Sequence, residues 1–458
     1  MRSSKRSSEG RPIPRLRRPA GGLWNNADFL KLWTGQSISE FGSQVSQLAI
    51  PWLAAVGLHA SPFEFSLLGV LGFLPFILFA LPAGVWVDRL QRRPILIFGD
   101  ASRAVLLALI PILWATHTLR MWHLLALQFV IGIFTVLFDV AYQSYFPSLV
   151  EREQLIDGNA KLQLTVSVTQ VAGPSTSGAL IAAITSPYAI IVDAASFVVS
   201  TIFMLNIRHR ETAREYTADA PRSKMWPDVK EGLRWVVGHR WLRSIAACTG
   251  SSNFFASLLF AIVLLYFTRT LHLHAWETGL VFAVGAVGSI FGALVVNRLQ
   301  KRIGVGPTIV ITAISFSVAG IAYPLAPKSF PLPALMAAQV LFGFGSVAYN
   351  ITQVSLRQAI TPERLQGRMN AAMRWIVWGT IPLGSLAGGG IATAYGLRAA
   401  LWTGAIGGLF TFLPVTLTSV RHIRELPNPV DEPTPAQAEL EGGLVEGLPL
   451  PGPAAADA

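Results

Sequence analysis

The chain has 458 residues, of which 52% are hydrophobic and 13% charged, and its mean hydropathy of +0.49 excludes a soluble globular protein of this length. Its formal net charge of +11 lies in short basic turns between apolar runs, which argues against a nucleic-acid partner. The single cysteine, Cys248, excludes an intrachain disulfide and a cysteine-based metal site.

The first segment, residues 1–25, is basic, with seven Lys and Arg residues between Arg2 and Arg18. It resembles the start of a signal peptide, but a full-length apolar run follows it in place of a short one with a cleavage site. We therefore expect a basic cytoplasmic tail.

Twelve apolar runs follow, each long enough for the roughly 20 residues that cross a bilayer. They must be helices, because a strand or loop exposed to lipid would leave backbone polar groups unpaired. The predicted fold is an all-α membrane protein with twelve transmembrane helices in two pseudo-symmetric six-helix bundles, 26–207 and 241–422. The predicted spans are 29–58, 63–86, 94–116, 121–146, 160–184, 187–207, 241–268, 275–297, 306–326, 332–357, 367–394 and 398–420.

The distribution of positive charge predicts the orientation. With the N-terminus in the cytoplasm, only four of the 36 Lys and Arg residues lie on the outer side, and two more, Arg103 and Arg374, lie more than one helical turn inside spans. Because Lys and Arg accumulate on the cytoplasmic side, both termini are expected there. The four outer residues are Arg120, Arg269, Lys328 and Arg398.

Two segments lie outside the bundles. The linker 208–240 begins polar and is expected to be mobile, and its end, 226–240, predicts an amphipathic helix on the inner leaflet. The tail 423–458 is acidic and rich in Pro and Gly, which predicts disorder. The apolar face predicted for the helix consists of Trp226, Val229, Leu233, Val236 and Val237, with Asp228, Lys230, Glu231 and Arg234 pointing away from it.

The two halves repeat one another. The stretch DRLQRR, beginning at Asp88, returns as NRLQKR, beginning at Asn297, and each copy ends a long apolar run. In nearly the same register Gln128 corresponds to Gln339 and Asp139 to Asn350. The chain is thus a duplicated membrane protein whose acidic members of these pairs lie in the first half.

Polar side chains recur at helical spacing within three of the spans. Together they predict a central polar path between the two bundles. Asn253, on the seventh span, extends this pattern. The three faces are Gln36, Glu40, Gln44 and Gln47 on the first span, Gln128, Thr135, Asp139 and Tyr142 on the fourth, and Gln339, Ser346, Asn350 and Gln353 on the tenth.

Several charges lie inside the predicted bilayer. A lipid-facing carboxylate at Glu40 would cost at least about 2.5 to 3.5 kcal/mol, so we expect it to face water or to carry a proton. Our hypothesis is that the first half couples protons, with Glu40 and Asp139 as candidates. Glu40 as a structural carboxylate and Asp139 as part of an inner gate stay open alternatives. Arg374 either contacts an anionic substrate group or reaches the inner interface.

Three further features have a simpler interpretation. Asp100 and Arg103, three residues apart, predict a local ion pair. Asp193, near the outer end of the sixth span, suggests a structural cap. Gly173 and Pro174, followed by Gly178, predict a kinked and closely packed fifth span that suits a hinge. Its repeat in the eleventh span keeps the small residues: Gly384, Ser385, Gly388, Gly389 and Gly390.

From about residue 25 to 422 the chain resembles the major facilitator superfamily. Gly84, Asp88, Arg89, Arg92 and Arg93 resemble its loop signature between the second and third helices. The resemblance implies that this loop gates the inner face, with Asp88 and Arg92 in that role.

The Gly-Pro pair with Gly178 is similar to the fifth-helix motif of proton-coupled exporters, with Ser177 in place of a second glycine. The runs 29–54 and 138–163 are similar to the branch that holds macrolide efflux proteins and the enterobactin exporter. This resemblance implies export of compounds from the cytoplasm, driven by the proton gradient.

The function predicted is a proton-coupled exporter of a bulky amphipathic small molecule (a drug, macrolide or siderophore) in a bacterial plasma membrane. It is expected to need no cofactor or metal and to act as a monomer. Uptake of a nutrient, and a transport-inactive receptor or scaffold, are the alternatives. An enzyme is disfavoured because no HExxH, GxSxG or phosphate-binding loop occurs, and the missing nucleotide-binding loop also argues against ATP drive.

Overall fold

The computed structural model describes residues 23–209 and 225–427, and these residues fold into helices, with no strand among them. Ten of the helices are long and apolar enough to cross a membrane. The two other long helices, α1 (Ala27–Trp52) and α5 (Leu155–Ile184), match the first and fifth predicted spans and are richer in polar side chains. The all-α membrane fold is confirmed, and twelve spans are consistent with it.

By contacts the described residues form two compact units, residues 23–53 with 71–209, and residues 54–70 with 225–427. Residues 54–70, predicted as part of the first bundle, group with the second unit. The remaining helices up to residue 209 are α2 Pro62–Arg89, α3 Arg92–Ala115, α4 Met121–Leu149 and α6 Ser186–Leu205.

Helices α7 to α15 belong to the second unit. The ninth and twelfth predicted spans are each interrupted near their end, so that each becomes one long and one short helix. The bounds are α7 Met225–Gly238, α8 Arg240–Arg269, α9 Ala275–Ile303, α10 Val305–Ala319, α11 Ala322–Leu325, α12 Leu332–Ala359, α13 Glu363–Tyr395, α14 Leu397–Leu409 and α15 Leu413–Thr416.

In the first unit α1 packs against α5 and α6. Asn26 caps the start of α1, because its side-chain oxygen accepts from the backbone N–H groups of Asp28 and Phe29 at 3.1 and 3.0 Å. The apolar end of the unit closes around Phe29, Phe138 and neighbouring buried side chains. This packing fixes the face of α1 that carries Glu40.

In the second unit α13 lies directly against α8. A Cβ atom added at Gly384 would lie 2.1 Å from the Phe254 carbonyl oxygen, and one at Gly388 would lie 2.4 Å from that of Leu258. Small residues let membrane helices approach closely, which stabilises them without a hydrophobic driving force. The small residues predicted in the eleventh span thus serve helix packing.

Residues 54–70 are held by a cation of α8. After α1 the chain makes one π-helical turn, Leu53–Gly57. Arg269 Nη2 donates to the carbonyl oxygens of Ala60 at 2.7 Å and Ala55 at 3.3 Å. The contact joins the end of α8 to the backbone of this turn.

Helix α7 docks on α13 through a face that the sequence pattern did not predict. Val236 is fully buried, and Gly232 lies against the backbone of Arg368. Leu233 and Val237, predicted to share the apolar face with Val236, are 42% and 49% exposed.

The charged residues of α7 require a correction as well. Glu231, expected to point away from the apolar face into water, forms ion pairs with Arg364 and Arg368 of α13. The predicted apolar face is therefore divided, because Val236 is buried whereas Leu233 and Val237 are exposed. The side chains of Trp226, Asp228 and Val229 lie outside the described residues.

Candidate functional site

A buried ion pair lies at the centre of the first unit. Arg103 on α3 is 6% exposed and pairs with Asp100, one turn earlier and fully buried, which confirms the predicted local pair. The Ser200 hydroxyl of α6 donates to the other carboxylate oxygen of Asp100 at 2.6 Å. The Arg103 guanidinium lies 4.3 and 4.2 Å from the ring centroids of Phe138 and Phe197. It is therefore held by charge, hydrogen bonding and cation–π contact together.

Three more carboxyl groups lie within electrostatic range of Arg103. They belong to Glu40 on α1, Asp139 on α4 and Asp193 on α6. Glu40 also interacts with Asp139 and Asp193. The structure thus brings both predicted proton-coupling candidates into one carboxylate cluster (Glu40, Asp100, Asp139 and Asp193 around Arg103).

Asp193 was not expected in this cluster. It lies within α6, whose N-cap is Thr185, and it is 2% exposed, so its interpretation as a structural cap is wrong. The Ser196 hydroxyl lies 3.3 Å from its Oδ1. The predicted span, 187–207, already places Asp193 six residues inside the helix, and its approach to the other acids comes from the packing of α6 on α1 and α3.

The predicted hinge contacts the polar face of α1. Helix α5 runs unbroken through Pro174, and a Cβ atom at Gly173 would lie 2.6 Å from the Gln44 side chain. The Ser177 hydroxyl lies 3.0 Å from the backbone oxygen of Gln44, to which it can donate. Gly178 is buried in the same helix. Gln44, a cavity candidate, is therefore packed against α5.

The other cavity candidates of the first unit have contacts inside it. Gln128 packs on Gly72 of α2, where an added Cβ atom would lie 2.7 Å from its Nε2. The Thr135 hydroxyl donates to the Ile131 carbonyl at 2.9 Å. Gln36 Oε1 is buried without a hydrogen bond from the described residues. A role in binding substrate stays a prediction for all three.

The predicted gate loop is a tight connection between α2 and α3. Arg92 begins α3, and Arg93 donates to the last two carbonyls of α6, at 3.2 and 2.8 Å. An added Cβ atom at Gly84 would meet nothing within 4 Å. The side chains of Asp88 and Arg89 lie outside the described residues.

The second unit contains a cavity of about 570 Å³, lined by residues of α8, α10, α12 and α13. Four predicted cavity residues line it: Asn253, Ser346, Asn350 and Arg374. The Asn253 amide also donates to the Val377 carbonyl at 3.1 Å. The size suits one drug-sized molecule.

Two residues change the predicted composition of this site. Gln339 is 6% exposed and packs near Gly285 of α9, away from the residues that line the cavity. Arg357, which the sequence places at the very end of a span, lines it together with Arg374. The cavity therefore has two cations where one was expected.

Comparison with known proteins agrees with this architecture. A family model described as transmembrane secretion effector, of the MFS_3 group, matches residues 23–441. The curated relative Multidrug efflux pump Tap of Mycolicibacterium fortuitum is 27% identical over 374 residues, 78% of this chain and 87% of its own length. Macrolide efflux protein A of Streptococcus pyogenes is 23% identical over 404 residues, 87% of this chain and 97% of its own.

Solved structures show the same fold at low sequence identity. A bacterial homologue of the iron transporter ferroportin, in an inward-facing state, has a TM-score of 0.67 at 16% identity and covers 85% of this chain and 98% of its own. The nucleoside transporter NupG has a TM-score of 0.63 at 11% identity and covers 85% and 98%.

Proposed function

The chain belongs to the transmembrane secretion effector family of the major facilitator superfamily, and on that basis we propose that it is a proton-coupled exporter of a bulky amphipathic small molecule. The substrate would cross by alternating access, with the two halves rocking about it. We place the protein in the bacterial plasma membrane as a monomer, with both termini in the cytoplasm.

Export is supported by the relatives. Two proteins that match most of this chain are named as a multidrug efflux pump and a macrolide efflux protein. The cavity of the second unit combines aromatic walls with amides and hydroxyls, a lining that suits amphipathic molecules. An ion gradient is the energy source we favour, because the sequence has no nucleotide-binding loop.

The carboxylate cluster of the first unit is the observation that carries proton coupling. Four carboxyl groups share the guanidinium of Arg103, and Asp100 already pairs with it. A bilayer interior disfavours the charge that is left over, so Glu40, Asp139 and Asp193 are the groups that would bind and release protons. The second half has Asn350 where the first has Asp139, which supports a division of tasks between the halves.

The remaining assignments belong to the same proposal. Asp88 and Arg92, with Gly84, Arg89 and Arg93 beside them, would gate the inner face. Gly173, Pro174 and Gly178 would allow α5 to move against α1.

Transport in inside-out vesicles with an acidic interior tests the proposal. We expect at least one compound of a panel of macrolides, dyes and siderophores to accumulate, an uncoupler to abolish this, and Glu40→Gln or Asp139→Asn to lower the rate at least about tenfold. Asp157→Asn, which removes an exposed cytoplasmic carboxylate paired with Lys161, is the matched control.

Three results would contradict the proposal. Proton dependence retained in all of Glu40→Gln, Asp139→Asn and Asp193→Asn would exclude the coupling sites. Accumulation in right-side-out vesicles would indicate uptake. No movement of any compound would favour a receptor or scaffold.

A further inference from the structure

The cavity of the second unit is lined by two arginines, Arg357 of α12 and Arg374 of α13, and by no carboxylate. The membrane helices of this unit contain few acids at all. In α8 to α15 the only acidic residues are Glu277 and Glu363, each in the first turn of its helix. The positive charge of the cavity is therefore not balanced nearby.

The acidic group of α7 does not balance this charge either. Glu231 is occupied by Arg364 and Arg368, the two arginines of α13 nearer its start. Within the described part of the chain neither Arg357 nor Arg374 makes an ion pair. Two guanidinium groups that face one cavity repel each other unless an anion lies between them.

One buried donor of the cavity also lacks a partner. Arg357 Nε is buried and makes no hydrogen bond to the described residues. A buried donor without an acceptor is costly, so this N–H group favours a ligand with an acceptor oxygen. The Arg374 guanidinium lies 4.9 Å from the ring centroid of Trp378, which positions its plane and leaves its N–H groups available.

One further buried atom of the protein constrains the chemistry of the ligand. Gln353 Oε1 is buried without a donor, while the amide nitrogen of Gln353 donates to Asn350. A hydroxyl or amide N–H next to the ligand's oxyanion would satisfy this oxygen. Phe316 and Phe342 then offer an apolar wall for the rest of the molecule.

The two arginines are not a remnant of the duplication. In the register of the internal repeat, Arg357 corresponds to Phe146 of the first half and Arg374 to Gln163. The cationic cavity is therefore a property of the second half alone.

We propose that this cavity is an oxyanion-binding subsite, and that the transported molecule is an amphipathic organic anion or zwitterion whose carboxylate, sulfonate or phosphate lies between Arg357 and Arg374. The proposal rests on the transport function proposed above and deepens it. It separates this protein from an exporter that selects cationic drugs.

The test uses three probes of one shape and different charge: tritiated 1-naphthalenesulfonate, 1-naphthalenemethanol and 1-naphthylmethylammonium. Each is bound to the full chain in nanodiscs of phosphatidylcholine. We expect the sulfonate to bind at least about tenfold more tightly than the ammonium compound, because the two guanidinium groups attract an anion and repel a cation.

Substitutions then test which side chains bind the sulfonate. Arg357→Gln and Arg374→Gln are each expected to weaken sulfonate binding about tenfold without strengthening that of the neutral probe. Arg357→Lys keeps the charge but loses the paired guanidinium donors, and its affinity for the sulfonate should lie between those of wild type and Arg357→Gln. Arg364→Gln, on α13 but paired with Glu231, is the control and should bind as wild type. Each variant is first checked for a monodisperse profile by size exclusion.

Equal binding of the three probes, or full sulfonate binding in the Arg357→Gln/Arg374→Gln double variant, would overturn the proposal. Displacement of the sulfonate by phosphatidylglycerol in the nanodisc would assign the oxyanion to a lipid headgroup and overturn the substrate assignment.

Vesicle transport separates this proposal from the export function. A sulfonate that binds but does not move supports the subsite and overturns the substrate assignment, and export itself is contradicted only when no compound of the panel moves. Energised export of the cation with no sulfonate binding supports export and overturns the subsite.

Discussion

Ser200 of α6 donates a hydrogen bond of 2.6 Å to Asp100 of α3, on the carboxylate oxygen that Arg103 does not occupy. Both oxygens of this fully buried carboxylate are therefore satisfied by side chains. A carboxylate held on both oxygens in this way, with a cation as one of the partners, is fixed in place.

Replacement of Ser200 by Ala should lower the free energy of unfolding by about 1.5 to 3 kcal/mol, because a hydrogen bond to a charged group is lost in a buried place. Thermal unfolding in detergent measures it. Ser167→Ala, which removes an exposed hydroxyl bonded to its own helix, is the control and should change little. Equal effects of the two substitutions would contradict a role for Ser200 in holding Asp100.

Arg103→Gln should be more damaging, since it leaves Asp100 buried without its cation, and we expect a loss of about 3 to 5 kcal/mol. The double variant Arg103→Gln/Asp100→Asn should recover part of this loss, because it removes the uncompensated charge. The same unfolding assay gives the coupling free energy between Arg103 and Asp100. A double variant as unstable as the sum of the single ones would show that the two residues act independently.

The docking of α7 depends on its lack of a side chain at one position. A Cβ atom at Gly232 would lie 2.2 Å from the Arg368 carbonyl oxygen, whereas one at Gly238 meets nothing within 4 Å. Gly232→Ala should therefore release α7 from α13 and increase cleavage of the 208–240 linker by trypsin. Gly238→Ala should leave the digestion pattern unchanged. Equal protection of both variants would mean that α7 is held mainly by its other contacts.

The pKa of His239, between α7 and α8, is lowered from its ordinary value of 6.5, first by burial and then by the neighbouring Arg240. Its ring lies 6.0 and 5.7 Å from those of Trp235 and Trp241. The unfolded chain therefore takes up this proton at a higher pH than the folded chain. The contribution of His239 to the free energy of unfolding is therefore constant above about pH 6.5, and it decreases as the pH drops from there toward the pKa of His239 in the folded chain.

This pH dependence is measurable as the unfolding temperature of wild type and His239→Gln from pH 8 to 5. The wild type should lose more stability on acidification than the variant, and the exposed His422→Gln should follow the wild type. Parallel curves for wild type and His239→Gln would exclude the effect.

The contact between α8 and α13 offers a matched pair on one helix. Gly384→Ala places a Cβ atom 2.1 Å from the Phe254 carbonyl, and we expect it to lower the free energy of unfolding by about 1 to 3 kcal/mol through overpacking. Gly390→Ala meets nothing within 4 Å and should be neutral or stabilising, because Ala favours the helix. The reverse order would contradict close packing at Gly384.

The sequence predicts well whatever depends on the bilayer as solvent. Each of the twelve predicted spans coincides with helix in the structure, because long apolar runs have no other stable form in lipid. Asp100 and Arg103 were also predictable, since three residues along a helix place two side chains on one face.

What the sequence could not predict depends on which neighbour a side chain finds. The apolar periodicity of α7 is real, but Gly232 and Glu231 make α13 its partner on another side. Gln339 shares the spacing of Asn350 and yet packs on α9, because a helix in a bundle has more than one buried face. Asp193 and Arg357 reach their sites through the packing of α6 and α12 on neighbouring helices, which a position within a span does not reveal.

The hydrogen bonds from Arg269 to the segment that follows α1 have a consequence for sequence variation. Its two acceptors are main-chain oxygens, those of Ala55 and Ala60, which every amino acid carries. The contact therefore does not depend on the side chains at positions 55 and 60, whose size is limited instead by their burial, provided that the cation at position 269 is kept. The contact itself therefore constrains the residue type at position 269 alone.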